Sequence, residues 1–447
     1  MNEVRVLAAT GMLATGFKEE SLVRGVTEFK ADVIGCDSGS CDNGPYYLGA
    51  GVPISSRAAA KRDLRLMIRE GLKAHIPVLV GSAGTAGGKP HVDWMVDIVR
   101  EIAAEEGYHF KLAVIQSEIS KEQLRSYMRA GRMSPLDPAP DFDETTLEKT
   151  ERIVGVMGPE PFIEAMRAGA DVVIAGRASD TSIYAAYPIM KGMDTGSAWH
   201  AAKILECGAG AVEQRIYPDC MMAWVREDSV SIEPPNPLMR CTPVSCLAHS
   251  LYENTDPFVL VEPGRVLQIK DAKYEAENDR RVNISNSRLE FSPRYTVKLE
   301  GALKAGYRAF ALGGIRDPLI LRQLDGFLDS SRATIMKKIE ASTGLTKDDY
   351  RFQYRVYGNP RAEEPGEIGI VMETIADSPE NAQSIIAIAS HTFLHHPIKE
   401  WHGHQSQIAY PYSPIVVENG VVYNFCLNHV IEVDDPLELF PIRYEEL

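Results

Sequence analysis

Asp37 and Asp42, with the thiols of Cys36 and Cys41, fall within the stretch CDSGSCDNGPYYLGAG, Cys36 to Gly51, which follows an apolar run, Ala31 to Gly35, that reads as a buried strand. A carboxylate at a strand terminus is rigidly held, which suits Asp37 to a general acid/base role. Two carboxylates sharing a pocket push their proton affinities apart, as proton abstraction next to a carbonyl and redelivery elsewhere require. The same oxygens suit a divalent cation, and an Asx turn or a helix cap accounts for Asp42 equally well. Ser38, Gly39, Tyr46 and Tyr47 complete the loop as candidate substrate contacts. No fixed Cys/His spacing marks Cys36 or Cys41 as a nucleophile, and buried free cysteine is common.

A second loop, GSAGTAGGKPHVDW, offers Gly81, Ser82, Gly84, Thr85, Gly87 and Lys89. Its glycines would let backbone N–H groups approach an anion at the start of the following helix. The GxxGxxG spacing matches neither the dinucleotide fingerprint nor a P-loop. The alternatives are a generic seat for a carboxylate, phosphate or CoA pyrophosphate, and a plain tight strand-to-helix connection. In AGRASDTSIYAAYP, Arg177 and Asp180 sit at another strand end. Arg177 suits a bidentate carboxylate clamp or a structural ion pair with Asp180, and Asp180 or Thr181 suits a helix cap. His200, on the helical stretch HAAKILECGAGAVEQ, is a candidate for a single catalytic group.

The histidine-rich run SHTFLHHPIKEWHGHQ holds His391, His395, His396, His402 and His404. His391 and His395 lie one helical turn apart, a spacing that can chelate zinc. The glutamate of HExxH is missing and Pro397 ends the helix, so a packing role competes with a metal role. His391, His395 and His396 are the metal candidates.

These loops need elements to hold them. Up to about residue 215, short apolar runs (Val4 to Ala9, Ala31 to Gly35, Pro77 to Gly81, Phe110 to Ile115, Ile153 to Val156, Asp171 to Ala175) alternate with amphipathic stretches. Leu64 to Leu72, Val92 to Ala103 and Pro161 to Ala168 among these carry helical periodicity, the pattern of a parallel sheet covered by helices. Ligands bind such sheets outside the strand carboxyl ends, where the polar loops cluster. The fold expected is α/β: an N-terminal, mostly parallel sheet flanked by helices over residues 1–217, a Pro-rich linker over 218–242, and an α+β domain over 243–447. Arg132 to Thr150 reads as a long surface loop or flap. Pro318 to about Thr343 and Pro379 to about Leu394 read as helices.

The 447 residues, 45% hydrophobic, provide for two or three cored domains. A net charge of −15 argues against nucleic acid and anionic membrane as partners. No signal-like N-terminus and no span of about 18 apolar residues is present, and seven scattered cysteines fit reduced thiols. A cytoplasmic location is expected.

Taken together, DSGSCDNGPYYLGAG, GSAGTAGG, AGRASDTSIYAAYP and ECGAGAVEQ, with GGIRDP and AYPYSP further on, resemble the acyclic terpene utilisation family, the AtuA-like proteins. The resemblance implies a catabolic setting of branched acyl-CoA intermediates. It also implies a homo-oligomer or a complex with a small α+β subunit, because family members often carry such a domain, fused or separate. The family pattern tends to have Ser or Thr and Pro where this chain has Cys41 and Asn43, which counts against Cys41 as a nucleophile. The reading that results is a lyase of the hydratase/dehydratase type acting on a small carboxylic acid or its CoA thioester. The alternative is a non-catalytic subunit that binds acyl-CoA or organises a partner enzyme. A divalent metal is compatible with either.

Overall fold

The structure is a computed structural model and describes residues 3–39, 43–359, 366–401 and 406–447. Strands β1 (Val4–Ala8), β2 (Val33–Asp37), β3 (Val78–Gly81) and β4 (Lys111–Ile115) run parallel, with Val172–Ala175 inserted between β3 and β4. Their sequences, VRVLA, VIGCD, VLVG, KLAVI and VVIA, are almost wholly buried, as a sheet covered on both faces demands. The two-residue period divides them between two cores. In β1, Val4, Val6 and Ala8 join Phe162, Tyr184 and Trp199 on one side, while Leu7 joins Leu64, Met67, Val92 and Val99 on the other. The helices expected around Leu64, Val92 and Pro161 are Arg57–Ala74, Lys89–Glu106 and Glu160–Arg167.

The sheet grows antiparallel at both edges. Met221–Val225 pairs with β1 and is followed outward by Ser229–Glu233, Val282–Ser285 and Lys273–Ala276; Ile442–Glu446 pairs with β4. Residues 218–242 are therefore not a linker throughout: two strands of the main sheet lie inside them, both largely buried. Nor is the whole of Arg132 to Thr150 a free flap. Met133–Pro135 pairs with residues 429–431, and the helix Glu144–Lys149 starts at Asp143, whose carboxylate accepts from Thr146 N at 2.7 Å.

The chain divides into two compact units, Met1–Leu303 with Phe425–Leu447, and Lys304–Asn424. In the second, Tyr350–Tyr357, Ile368–Ala376 and the end of the strand Thr296–Ile315 form an antiparallel sheet. The helices Leu324–Thr343 and Pro379–Leu394 pack on it through Ile335, Ile339, Ile385 and Phe393. The helix expected from Pro318 is two, Pro318–Arg322 and Leu324–Thr343, parted at Gln323, whose backbone (φ −117°, ψ 21°) leaves the helical region. Among the described residues no helix is long and apolar enough to cross a membrane.

Candidate functional site

Because β2, β3 and Val172–Ala175 are neighbours, their carboxyl-end loops meet and are zipped together: Ser38 N donates to Gly81 O at 3.0 Å and Ser82 N to Gly176 O at 2.8 Å. Glycine permits the closest approaches. A Cβ on Gly39 would lie 2.4 Å from both Ser82 Cβ and Thr85 O. On Gly87, at φ +67°, it would lie 2.1 Å from Arg177 N. Gly39 and Gly87 thus serve loop-on-loop packing. The helix start at Lys89, expected as an anion seat, is filled by the chain's own Glu118, whose Oε2 accepts from Lys89 N at 2.6 Å while Arg152 holds its Oε1 at 3.1 Å. Lys89 Nζ turns to Asp93.

Asp37 closes β2 with 2% of its surface exposed. Its Oδ2 accepts from Gly39 N at 3.0 Å, and its own N donates to Tyr184 Oη at 3.2 Å. Its Oδ1 has no partner among the described residues. Burial, then the charge of Asp180, raise its proton affinity well above the ordinary carboxylate range against the pull of Arg177. Asp180, less buried, is raised in the same direction, first by burial and then, against Arg177, by Glu300.

Arg177 is turned inward. Its Nε and Nη2 grip the two oxygens of Glu300 at 3.0 and 3.3 Å, and Nη1 reaches Ser82 Oγ at 3.1 Å, Ala178 O and Asp180 Oδ1 at 3.3 Å. The fork expected to clamp a substrate carboxylate holds Glu300 instead. Burial alone would raise Glu300's proton affinity, but Arg177 overrides it and keeps the carboxyl below its usual range. Arg177 is the countercharge of the site, and Asp37, Asp180 and Glu300 surround it with unequal proton affinities.

Ser82 and Thr85 sit at φ 51° and 91°. For a β-branched threonine that conformation costs of order 1–3 kcal/mol, and such strain clusters at functional sites. Thr85 Oγ1 and Ser182 Oγ are buried without partners among the described residues, as Asp37 Oδ1 is. Buried polar atoms are normally paired; these three are exceptions, on loops that meet around Gly39 and on the helix Asp180–Met190.

A second group of charges adjoins Asp180. Lys203 Nζ and Glu206 Oε1 are 2.5 Å apart, both side chains nearly buried. Burial, then the charges of Asp180 and Glu262, push Glu206 up to about 8 despite Lys203. Glu262 accepts from Ser179 Oγ at 2.5 Å and is raised by burial and by Asp180. Burial and then Lys203 lower His249 to about 4, so its imidazole is neutral, and Nε2 has no partner among the described residues. Cys207 is pushed up to about 12 by burial and Glu206, and Cys36 well above its usual value by burial and Asp37, so neither is a thiolate.

His200 belongs elsewhere. Its Nδ1 meets Ser287 Oγ at 2.7 Å and its Nε2 meets Ser250 Oγ at 2.8 Å; burial lowers it to about 3. Both nitrogens are satisfied in a buried hydroxyl network, and no contact links the ring to Asp37 or Arg177 among the described residues. Tyr46 is exposed on the short helix Tyr46–Ala50, edge-on to Tyr47, whose carbonyl meets His91 Nε2 at 3.1 Å. Asp42, Cys41, His402 and His404 lie outside the described residues. His391 and His395 are exposed on the second unit, whereas His396 is buried against Phe327 with Nε2 2.9 Å from Ser330 Oγ. The His391 and His395 rings meet edge to face, centroids 5.9 Å apart, but no group of three or more His, Cys, Asp or Glu is arranged for a metal among the described residues.

Glu300, Glu262 and His249 arrive from parts of the chain with no motif of their own. Lys203 and Glu206 left one signal, an i,i+3 pair of opposite charge beside ECGAG.

The parallel core with antiparallel edges, carrying a buried carboxylate and arginine at its strand carboxyl ends, defines the class of the chain as α/β. The model of the acyclic terpene utilisation family protein AtuA matches residues 60–216 and 230–422, and the chain belongs to that family. Membership suggests a role in acyclic terpene catabolism. No curated protein and no solved structure matches the chain.

Proposed function

We propose that the chain is an acid/base lyase of the hydratase/dehydratase type, acting on a small carboxylic acid or its CoA thioester, with Asp37 as the proton donor. The observation that carries this reading is the carboxyl of Asp37: buried at a strand end, raised in proton affinity, and with Oδ1 unengaged. A carboxylic acid of raised proton affinity can donate to a leaving hydroxyl, as dehydration requires. In that direction the substrate loses a hydroxyl from its β-carbon and a proton from its α-carbon. Asp37 gives its proton to the hydroxyl, which departs as water, and the Asp37–Asp180 pair takes up the α-proton. Hydration reverses both transfers. Arg177, fixed by Glu300, limits the rise in negative charge as the pair ionises.

The test is solvent exchange in heavy water. The full chain is incubated with short branched hydroxyacyl and enoyl CoA thioesters and the free acids, and deuterium at the α-carbon is read by mass spectrometry. Exchange with at least one of these substrates is expected, falling at least about 100-fold in Asp37→Asn with the melting temperature retained. Equal exchange in Asp37→Asn removes Asp37 from the chemistry. Thioester binding that is unchanged by the substitution, with no exchange in either protein, overturns the lyase reading in favour of a binding subunit.

A further inference from the structure

The second unit holds a concavity of about 560 Å³ whose charge opposes that of the chain. Among the described residues five cations line it (Arg308, Arg332, Lys347, Arg351, Arg355) against one carboxylate, Glu373, in a protein of net charge −15. The strands produce the clustering. Ile375 pairs with Arg351 on one side and with Arg308 on the other, so the two arginines flank it on one face of the sheet, their Cα atoms two strand spacings, about 10 Å, apart. Glu373, one pleat further along, is held by Arg308 Nε at 2.9 Å and Arg355 Nε at 2.6 Å. That pairing neutralises Glu373.

The remaining cations have no carboxylate partner among the described residues. Arg332 lies over the Tyr354 ring, 5.2 Å from its centroid, and its buried Nε has no hydrogen-bond partner among the described residues. Lys347 and Arg351 are exposed and engage no carboxylate through their side chains among the described residues. Tyr350, Phe352 and Met336 add an apolar wall. Arg332, Lys347 and Arg351, none with a carboxylate partner among the described residues, line this one concavity, and guanidinium forks match phosphate oxygens. The volume is that of a small-ligand pocket. Concentration in a single concavity, on a chain whose overall charge repels polyanions, favours a small ligand over a nucleic acid.

We propose that this concavity is a binding site for a small molecule carrying two or more phosphate groups. The site is built from the second unit alone and stands independently of the acid/base reading.

Calorimetric titration of the full chain at low salt, with pyrophosphate, ADP and adenosine, tests it. Pyrophosphate and ADP are expected to bind one per chain, and adenosine to give no heat. Arg351→Ala and Lys347→Ala, both at exposed positions, should each weaken binding about tenfold, while Asp37→Asn leaves it unchanged. ADP binding tenfold tighter than pyrophosphate identifies a nucleotide ligand; equal affinities identify the phosphates alone as the part recognised. Absence of heat with both phosphates, or binding indifferent to Arg351 and Lys347, overturns the proposal. So does binding of heparin that depends on these two residues when pyrophosphate and ADP do not bind.

Discussion

Asp37, Arg177 and Glu300 form a chain of influence in which one charge sets the next. Glu300 fixes the guanidinium, the guanidinium opposes the proton on Asp37, and Asp180 supports it. Replacing Glu300 with Gln leaves Arg177's charge less compensated, so Asp37 should ionise more readily. Infrared difference spectra can follow the protonated carboxyl: a band that titrates above the ordinary carboxylate range in the parent, is absent in Asp37→Asn, and titrates at lower pH in Glu300→Gln. A band that keeps its position in Glu300→Gln would show that Arg177 does not govern Asp37. Breaking a buried ion pair by removing one charge also destabilises, on the order of 3–5 kcal/mol. Urea unfolding of Glu300→Gln should show that loss, whereas an exposed pair such as Lys89–Asp93 contributes about 0–1 kcal/mol.

The loops that carry these residues are fixed by contact, and a pair of glycines separates contact from conformation. Gly87 and Gly107 share φ +67°, but a Cβ on Gly87 meets the backbone of Arg177 at 2.1 Å, whereas nothing lies within 4 Å of one on Gly107. Gly107→Ala, past the end of Lys89–Glu106, should cost about 1–2 kcal/mol in urea unfolding, the left-handed penalty alone. Gly87→Ala should cost at least about 2 kcal/mol more, because two loop backbones must part; equal costs would mean that the loop junction yields freely. The same distinction decides what the sequence disclosed. The parallel core was legible because buried strands must be continuous runs such as VLVG and VVIA, and Asp37 and Arg177 were legible as polar residues ending such runs. Met221–Val225 and Ser229–Glu233 were hidden by the adjoining PPNP, which punctuates the chain after a strand as readily as it marks a linker. Gly301, Ala302 and Gly306 interrupt the alternation of the single strand Thr296–Ile315. Glu300 was invisible as a site residue, since its partner lies 123 positions away and no local spacing records that. Glu118 filling the helix start at Lys89 was hidden for the same reason.

Across the whole molecule, carboxyls displaced in opposite directions shape how stability responds to pH. Asp37, Asp180, Glu206 and Glu262 are raised, and Glu300 and Glu373 are lowered. A carboxyl raised in the folded state binds its proton more tightly there than in the unfolded chain. Its contribution is full below the unfolded value and is lost as pH rises through the folded one. For Glu206 the window runs from the ordinary 4.5 to about 8. The lowered carboxyls act oppositely: their contribution is present above the unfolded value and is lost as pH falls through the folded value. Stability should therefore peak on the acid side of neutrality. The net charge of −15 also disfavours the compact state as pH rises, but salt screens that repulsion between exposed charges far better than it screens the buried groups. Melting temperatures at about pH 6 and about pH 8.5 in high salt separate the two effects. The parent should lose stability between the two pH values, and Glu206→Gln, which no longer has a carboxyl to ionise in that window, should lose distinctly less. A flat parent profile, or an identical slope in Glu206→Gln, would place the proton held by the Lys203–Glu206 pair outside this range.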